Sequence, residues 1–364
     1  MKFSVDKNTL TQALSAVMLA VGSDSTQPTL ACVHLTALQD SLKLEATNLT
    51  ISIKTSVNAL VEEGGDVAIP GRVFAAFIRN LPENVAQFEL VDNHVVVHCG
   101  STSFSLICLS QNDLPQFPYF ENGVSIQLPL SVLQQLGKHV LSLGLKRSEA
   151  SYGSSVALHI KDNMFTIQSM DNYRVMVCSY TTENSVPEQQ FSLPVELLQT
   201  ITALPANNLP ITLSVFESNV TFTCGDTVIV GQKLDILPVD ISPFTAAEVS
   251  TTVRVNRDEL LNALKRTSLL KKETTPIVFE FNTTDQSITL TASDEQGKIT
   301  ECIKASIDGN SLTIGFNNTF LLPGISSCPG NEIVFQLSQD TKPGILRDSE
   351  SDTYIFIAMP VRIR

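Results

Sequence analysis

The strongest constraint in this 364-residue sequence is a short design that is written three times, about a third of the chain apart. In each copy an extended segment is followed by a polar residue and then by apolar residues at helical spacing. Three leucines open the apolar stripes of these predicted helices: Leu10, Leu133 and Leu260. Aligning them also aligns Phe3, Ile126 and Val253 in the extended segments. The sequence therefore predicts a triplicated domain.

Each copy continues with alternating apolar and polar residues interrupted by turn-forming residues, a pattern typical of β-hairpins. The first hairpins turn at Gln39–Ser41, at Asp162–Asn163 and near Thr284–Asp285. Second turns follow at Thr47–Asn48, Met170–Asp171 and Ser293–Asp294. A second helical pattern and further strands complete each third. The predicted fold class is α+β, with the order strand, helix, strands, helix, strands.

Two proline-containing segments mark the predicted domain boundaries, DLPQFPYFENG and LPVDISPFTAAEVS. They divide the chain into domains at 1–122, 123–247 and 248–364. Both segments are short, so we expect rigidly packed domains and not tethered ones.

Composition narrows the functional class. With 43% hydrophobic and 17% charged residues the chain is expected to fold, and no apolar run is long enough to span a membrane. The apolar segment ALSAVMLAVG could belong to a signal peptide, but Asp6 and Lys7 interrupt its approach and its apolar residues fit the repeated helix. Seven cysteines without a CxxC pair favour free thiols in a reducing cytoplasm.

The formal charge of -13 argues against nucleic-acid binding when it is taken alone. Its distribution changes that argument, because the predicted helical windows 133–149 and 252–272 carry a net positive charge. Solvated helix faces also carry lysines, so this pattern leaves both interpretations open.

No residue pattern indicates an enzyme or a cofactor site. The sequence lacks GxSxG, GxGxxG and GxxxxGK[ST] motifs. His94 and His98 lie in a predicted strand, where residues four apart are separated by roughly 13 Å, too far for one zinc ion. We therefore expect no catalytic residue, no metal and no cofactor, which leaves a triplicated α+β hydrolase as a remote alternative.

Five motifs carry a resemblance to a known family: Met1-Lys2-Phe3, SMDNYRV at 169–175, IGFN at 314–317, KPGILR at 342–347 and AMPVR at 358–362. Together with the threefold repeat they resemble the bacterial DNA polymerase III beta subunit, the beta sliding clamp, over the whole chain. The resemblance implies a DNA-clamp fold in which a head-to-tail homodimer closes a six-domain ring, with helices inside and antiparallel sheets outside. It also implies a non-catalytic, cytoplasmic processivity factor that encircles double-stranded DNA without reading its sequence.

A weakly positive inner wall would suit a ring that slides, because each phosphate contact adds salt-dependent affinity. The candidate DNA-binding residues are Arg72, Arg79, Lys138, Lys146, Arg147, Arg257, Lys265, Arg266, Lys271 and Lys272.

The resemblance further implies a cleft that binds short peptide motifs of the DNA polymerase III alpha subunit, the clamp loader, other polymerases and repair proteins. Its residues would be Gly153, Met170, Asn172, Tyr173, Arg174, Val175, Pro238, Asn317, Phe320, Pro343, Met359, Pro360, Val361 and Arg362. The apolar members supply adaptable walls, and Arg174, Arg362 and Asn317 could hold backbone or Gln groups at the rim.

Five positions depart from the family pattern. One is Tyr173, which implies a reshaped peptide groove. Asp171-Asn172 replaces the usual Asp-Gly, and we expect Asn172 to take the left-handed conformation that Gly would adopt. Gln27, Ala150 and Thr275 replace arginines common near the ends of the first helices, which implies a weaker or rearranged DNA grip. The alternative function is a clamp-like peptide-binding scaffold, or paralogue, that does not encircle DNA.

Overall fold

The structure is a computed structural model that describes residues 1–22, 27–82, 84–109, 115–144, 154–205, 208–270 and 276–363. Two compact units account for the chain. Unit 1 comprises Met1–Gln134 with Glu196–Leu234, and unit 2 comprises Gln135–Val195 with Asp235–Arg364. Within the described residues, every helix is too short or too polar to cross a membrane.

The elements of the first third of the chain are β1 (Lys2–Asp6), α1 (Lys7–Val17), β2 (Cys32–Leu38), β3 (Ser41–Thr47), β4 (Ile51–Asn58), β5 (Leu60–Glu63), β6 (Gly65–Pro70), α2 (Gly71–Arg79), β7 (Val85–Val91), β8 (His94–Cys99) and β9 (Thr102–Ile107). The second third has β10 (Val124–Pro129), α3 (Leu130–Leu141), β11 (Ser155–Lys161), β12 (Met164–Met170), β13 (Arg174–Thr181), β14 (Gln189–Pro194), α4 (Val195–Thr202), β15 (Pro210–Val215), β16 (Asn219–Cys224), β17 (Thr227–Gln232) and α5 (Ser242–Thr245). The last third has β18 (Thr251–Asn256), α6 (Arg257–Thr267), β19 (Ile277–Asn282), β20 (Ser287–Asp294), β21 (Gly297–Lys304), β22 (Ser306–Gly309), β23 (Leu312–Phe316), α7 (Asn318–Ser327), β24 (Glu332–Leu337), β25 (Gly344–Asp348) and β26 (Tyr354–Ala358).

The predicted strand-then-helix start of each copy is confirmed. Helices α1, α3 and α6 each begin directly after a strand, three residues before the aligned leucine. Those leucines are buried, as are the aligned residues of the strands, Phe3, Ile126 and Val253. Buried apolar residues on one helix face and on alternate strand positions explain why the pattern could be read from sequence.

The second turn of each copy is closed by the same hydrogen bonds. In each, the side-chain Oδ1 of the Asn or Asp accepts from the backbone N–H groups two and three residues further along. The pairs are Asn48 with Thr50 and Ile51, Asp171 with Tyr173 and Arg174, and Asp294 with Gln296 and Gly297. A short polar side chain that binds its own backbone fixes such a turn.

Unit 1 contains two antiparallel sheets. The five-stranded sheet has the order β5-β1-β7-β8-β9, and the eight-stranded sheet has the order β10-β15-β16-β17-β4-β3-β2-β6. The larger sheet is continuous from one copy to the next because β17 pairs with β4, with Ile229 opposite Ile53. In the core, the Phe3 ring stacks on Phe88 at a centroid distance of 4.6 Å.

Unit 2 repeats this arrangement. Its nine-stranded sheet has the order β14-β11-β12-β13-β26-β25-β24-β18-β22, and its four-stranded sheet has the order β21-β20-β19-β23. The junction between copies is the pairing of β13 with β26, in which Met176 lies opposite Phe356. Phe316 packs edge-on against Phe279 and Phe335, with both centroid distances at 5.7 Å.

The N-cap of α6 gives a test of how a local side-chain bond stabilises the start of this helix. Asn256 Oδ1 accepts from the N–H groups of Asp258 and Glu259, so Asn256→Ala should lower the free energy of unfolding by about 1 kcal/mol. Denaturant unfolding followed by circular dichroism measures this. The matched control is Asn262→Ala on the exposed face of the same helix, which should not destabilise because alanine has the higher helix propensity. Equal losses in both variants would contradict the capping role.

Candidate functional site

Arg174 is the most constrained of the predicted cleft residues. Its guanidinium donates to Asp171 Oδ2 from Nε at 3.0 Å and from Nη2 at 2.6 Å. Nη2 also donates to the carbonyl of Leu143 at 2.9 Å, and the side chain is only 9% exposed. Charge-assisted bonds of this kind are strong and directional. Arg174 therefore holds the β12–β13 turn in place, with donors already engaged by oxygens of its own chain.

Tyr173 and Phe320 form a stacked pair. Their ring centroids are 4.9 Å apart with an interplanar angle of 15°, and the Arg174 guanidinium carbon lies 5.1 Å from the Phe320 centroid. Tyr173 is 51% exposed, so the pair presents a flat aromatic surface to solvent.

The expectation for Asn172 is wrong. Asn172 is not among the residues with positive φ in the described chain, although its counterpart Leu49 is, at 72°. Asp171 accepts from the backbone N–H groups of Tyr173 and Arg174, and Asn48 accepts the matching bonds in the first copy, so these bonds form both with and without a left-handed residue at the second position of the turn.

The predicted residues of the last third are fixed by backbone and capping bonds. Asn317 is the N-cap of α7, and its Oδ1 accepts from the Thr319 backbone N–H at 2.9 Å. The Met359 N–H donates to the carbonyl of Tyr173 at 2.9 Å, and the Val361 N–H donates to the carbonyl of Gly315 at 2.8 Å. These bonds place Met359 beside the aromatic pair. Pro360, between Met359 and Val361, is partly exposed, and Arg362, which follows Val361, is exposed.

A cleft of about 650 Å³ opens beside Met359 in unit 2. Its apolar lining includes Phe244, Val249, Leu337, Pro343, Ile345 and Met359. Pro343 and Met359 were predicted; the other four were not. Phe244 and Val249 lie in the segment that the sequence reading treated only as a linker. The apolar residues that stand among the polar residues of this segment were the signal that could have identified it as a cleft wall.

A small buried cluster, called here the floor cluster, adjoins this cleft. It consists of Val175, Val177, Ile345 and Ile357, and Met170 and Phe244 pack against it. Val175 therefore belongs to this cluster, and Met170 packs against it. Pro238 lines a separate depression with Gln168 and Val177. Gly153 lies outside the described residues.

The Gln168 side chain fastens the segment that contains Pro238. Gln168 Nε2 donates to the carbonyl of Val239 at 3.0 Å, and its Oε1 accepts from the Val239 N–H at 2.8 Å. This two-point contact was not anticipated from the sequence, where Gln168 is one polar residue in an alternating strand.

The predicted DNA-binding cations fall into two groups. On unit 1, Arg72 and Arg79 are exposed on α2; on unit 2, Lys138 and Lys265 are exposed on α3 and α6. None of these four has an ion pair among the residues that the structure describes. Gln27 is also exposed. Lys146, Arg147, Lys271 and Lys272, with Ala150 and Thr275, lie outside the described residues.

Arg257 and Arg266 differ because carboxylates already engage them. Arg257 Nε donates to Asp258 at 3.0 Å, and its Nη1 donates to the carbonyl of Cys328 at 3.0 Å. Arg266 makes a two-point contact with Glu301, at 2.8 Å for both bonds. This hydrogen bond lowers the pKa of the Glu301 carboxyl and raises the pKa of Arg266, so both groups are charged at neutral pH.

Solved structures share this fold along the whole chain. The sliding clamp of Bacillus subtilis matches with a TM-score of 0.93, 23% identity and 100% of both chains covered. A putative DNA polymerase III beta subunit from Eubacterium rectale matches with the same three values. The architecture is therefore the DNA-clamp fold, built from antiparallel sheets and several helices.

Sequence comparison identifies the family. The model of the DNA polymerase III beta subunit N-terminal domain matches residues 1–118, and that of the C-terminal domain matches residues 246–362. The beta sliding clamp of Chlamydia muridarum is 27% identical, with 100% of this chain and 99% of the relative covered. This chain belongs to the family of bacterial DNA polymerase III beta subunits, the beta sliding clamps, which are non-catalytic processivity factors.

Proposed function

We propose that two copies of this chain close head to tail into a cytoplasmic ring of six domains around duplex DNA. In this function the ring is the processivity clamp of the replicative polymerase and binds partner proteins through the cleft in unit 2. The three domains would be 1–122, 123–247 and 248–364. The two family models, which end at 118 and begin at 246, support these boundaries.

The observation that carries this proposal is a pair of matching sheet edges. Within each unit, the last hairpin strand of one copy pairs with the final strand of the next copy: β4 with β17, and β13 with β26. The remaining strands of these two types are β21 and β9, and each is the terminal strand of its sheet. An unpaired strand edge is a template for another chain. A second chain supplies the missing partner strand for each edge, and the two contacts between the chains close a ring.

The repeat also predicts the register of this contact. Ile53 lies opposite Ile229 in the first junction, and Met176 lies opposite Phe356 in the second. We align β21 with β4 and β13 through the second turns, and β9 with β17 and β26 through the final hairpins. Both junctions then predict that Ile299 of one chain lies opposite Phe104 of the other chain. Since the two alignments agree, Ser103 should face Thr300 across the same contact.

Sequence-independent DNA binding is supported by four exposed cations without carboxylate partners in the described chain, Arg72, Arg79, Lys138 and Lys265. Long basic side chains on helices suit phosphate contact without base readout. The overall charge of -13 would keep DNA from other surfaces.

Peptide binding is supported by the chemistry of the cleft. Its volume of about 650 Å³ is in the range of ligand pockets, and its apolar lining includes a flexible methionine that adapts to different side chains. The half-exposed Tyr173 beside it would add an aromatic contact for the peptide. Polymerase alpha subunit, clamp loader and repair proteins are the partners we propose for it.

A second candidate, a scaffold that binds peptides without encircling DNA, is favoured by one observation. Arg257 and Arg266, two of the proposed DNA contacts, are paired with carboxylates of this chain. The grip on DNA would then be weaker than the count of cations suggests.

The dimer contact is tested by a cysteine pair. In a Cys302→Ser background, Ser103→Cys combined with Thr300→Cys should give a disulfide-linked species of twice 39.6 kDa under mild oxidation. Cα atoms directly opposite in a sheet lie within disulfide range. The control combines Ser103→Cys with Thr289→Cys, one strand further from the edge. Equal cross-linking of both pairs, or none while light scattering shows a dimer, would contradict the proposed register.

The DNA grip is tested by releasing Arg266. Glu301→Gln should strengthen binding to linear duplex DNA and steepen its salt dependence by about 0.9 in log–log slope for each phosphate contact that a released Arg266 adds. Because the pKa of Glu301 is lowered by Arg266, the pair persists at neutral pH and is lost only as pH falls through that lowered pKa, where wild type should approach the variant. Fluorescence anisotropy across a salt series measures this. Glu280→Gln, an exposed carboxylate in the same sheet, removes the same charge and should leave the slope unchanged; an equal change would contradict a role for Arg266.

The cleft is tested with matched methionines. Met359 is 38% exposed in the cleft and Met164 is 37% exposed at the start of β12, so their alanine variants differ in position and hardly in exposure. Met359→Ala should weaken binding of an apolar polymerase-derived peptide about tenfold, since partial loss of one apolar contact costs roughly 1–2 kcal/mol. Isothermal titration calorimetry measures the affinity. Equal weakening by Met164→Ala would place the peptide elsewhere.

A further inference from the structure

The three copies differ at one sheet edge. In the first copy β1 pairs with β7 on one side and with the short strand β5 on the other. In the third copy β18 pairs in the same way with β24 and β22. Their counterpart β10 has a single strand partner in the described chain, β15, and is the terminal strand of its sheet.

The segment at the equivalent position in the second repeat, residues 182–188, is not part of any sheet in the described chain. It lies between β13 and β14, as β5 lies between β4 and β6. Within unit 2, the Thr182 N–H donates to the carbonyl of Asn163 at 2.7 Å, and the Val186 N–H donates to the carbonyl of Asp162 at 3.3 Å. This segment is thus bonded to the β11–β12 turn.

The edge of β10 carries few of the features that normally block strand addition. Its sequence VSIQLP contains no charged residue, and its register with β15 runs without a bulge from Val124 to Pro129. Only the terminal Pro129 lacks an amide donor. Ser125 and Gln127 are exposed, so solvent reaches the strand. Edges of this kind are templates for pairing with an extended segment.

The strands at the equivalent edge in the other two repeats, β5 and β22, indicate which sequence could pair with β10. In β5, Val61 lies opposite Phe3; in β22, Ile307 lies opposite Val253. Both are β-branched and are followed directly by an acidic residue, Glu62 or Asp308. Since Phe3 and Val253 align with Ile126, the same occupant chemistry would place a β-branched side chain opposite Ile126 and a carboxylate near Ser125.

We propose that β10 is a second docking edge, which binds an extended partner segment containing a β-branched residue followed by an acidic one, antiparallel to β10. The edge of β10 shares no residue with the proposed peptide cleft, and failure of this proposal would leave the clamp function untouched.

The probe is a synthetic peptide of residues 304–310, KASIDGN, taken from around β22. Added at millimolar concentration, it should slow amide hydrogen exchange in β10 at least threefold, whereas a scrambled peptide should not. Two N-methylated forms of the peptide, each with a different alternate set of backbone amides blocked, sharpen the test. Alternate amides of a strand point to opposite edges, so only one of the two sets can bond to β10. One form should lose the protection, so that exchange in β10 returns to the rate without peptide, and the other should keep it. No protection by the parent peptide, or equal effects of both N-methylated forms, would overturn the proposal.

Charge variants at Ser125 give an independent readout. Ser125→Lys should tighten binding of the peptide about threefold, and Ser125→Glu should weaken it by a similar factor, because the acidic residue of the occupant lies nearby. Circular dichroism verifies that both variants fold. Equal affinities, or β10 protection that rises with protein concentration in the absence of peptide, would overturn the proposal, the latter in favour of a second copy as occupant.

Discussion

Backbone pairing across copy boundaries is the constraint on which the rest of this structure depends. β4 with β17 in unit 1, and β13 with β26 in unit 2, turn separate hairpins into continuous sheets. Each such hydrogen bond contributes only about 1 kcal/mol net, but a strand register is all or none because a one-residue slip exposes the buried face. The same rule that joins the copies leaves β9 and β21 at sheet edges. The ring that we propose would pair both edges without forming an open filament.

The cleft depends on the same junction. Val175 and Ile357 lie opposite each other in the β13–β26 pair and belong to the buried floor cluster. The turn before β13 is held by Arg174, whose bonds to Asp171 and to the Leu143 carbonyl fix where Tyr173 stands. Met359, one residue past β26, then faces solvent beside it. A cleft at this place follows from how two repeats share a sheet.

The sequence predicted the elements better than the roles of side chains. Strand, helix and turn positions were readable because burial follows a period and because Asn48, Asp171 and Asp294 each stand at a turn. The full engagement of Arg174 and Arg266 was not readable, since Arg174 also bonds to the Leu143 carbonyl, 31 residues away in sequence, and Arg266 bonds to Glu301, 35 residues away. Phe244 was missed as a cleft wall because a proline-containing segment was interpreted as a linker. Asn172 was misjudged because the side-chain bonds that close this turn form with either backbone conformation, as the left-handed Leu49 of the matching turn shows.

Topological retention on DNA is the most direct measurement of the central claim. The protein would be assembled by a clamp loader on nicked circular DNA, separated from free protein, and measured again after the circle is cut. We predict a species of about twice 39.6 kDa by light scattering that stays on circles and is lost after linearisation. A monomer that never remains on circles, or retention that survives linearisation, would contradict a ring that encircles DNA.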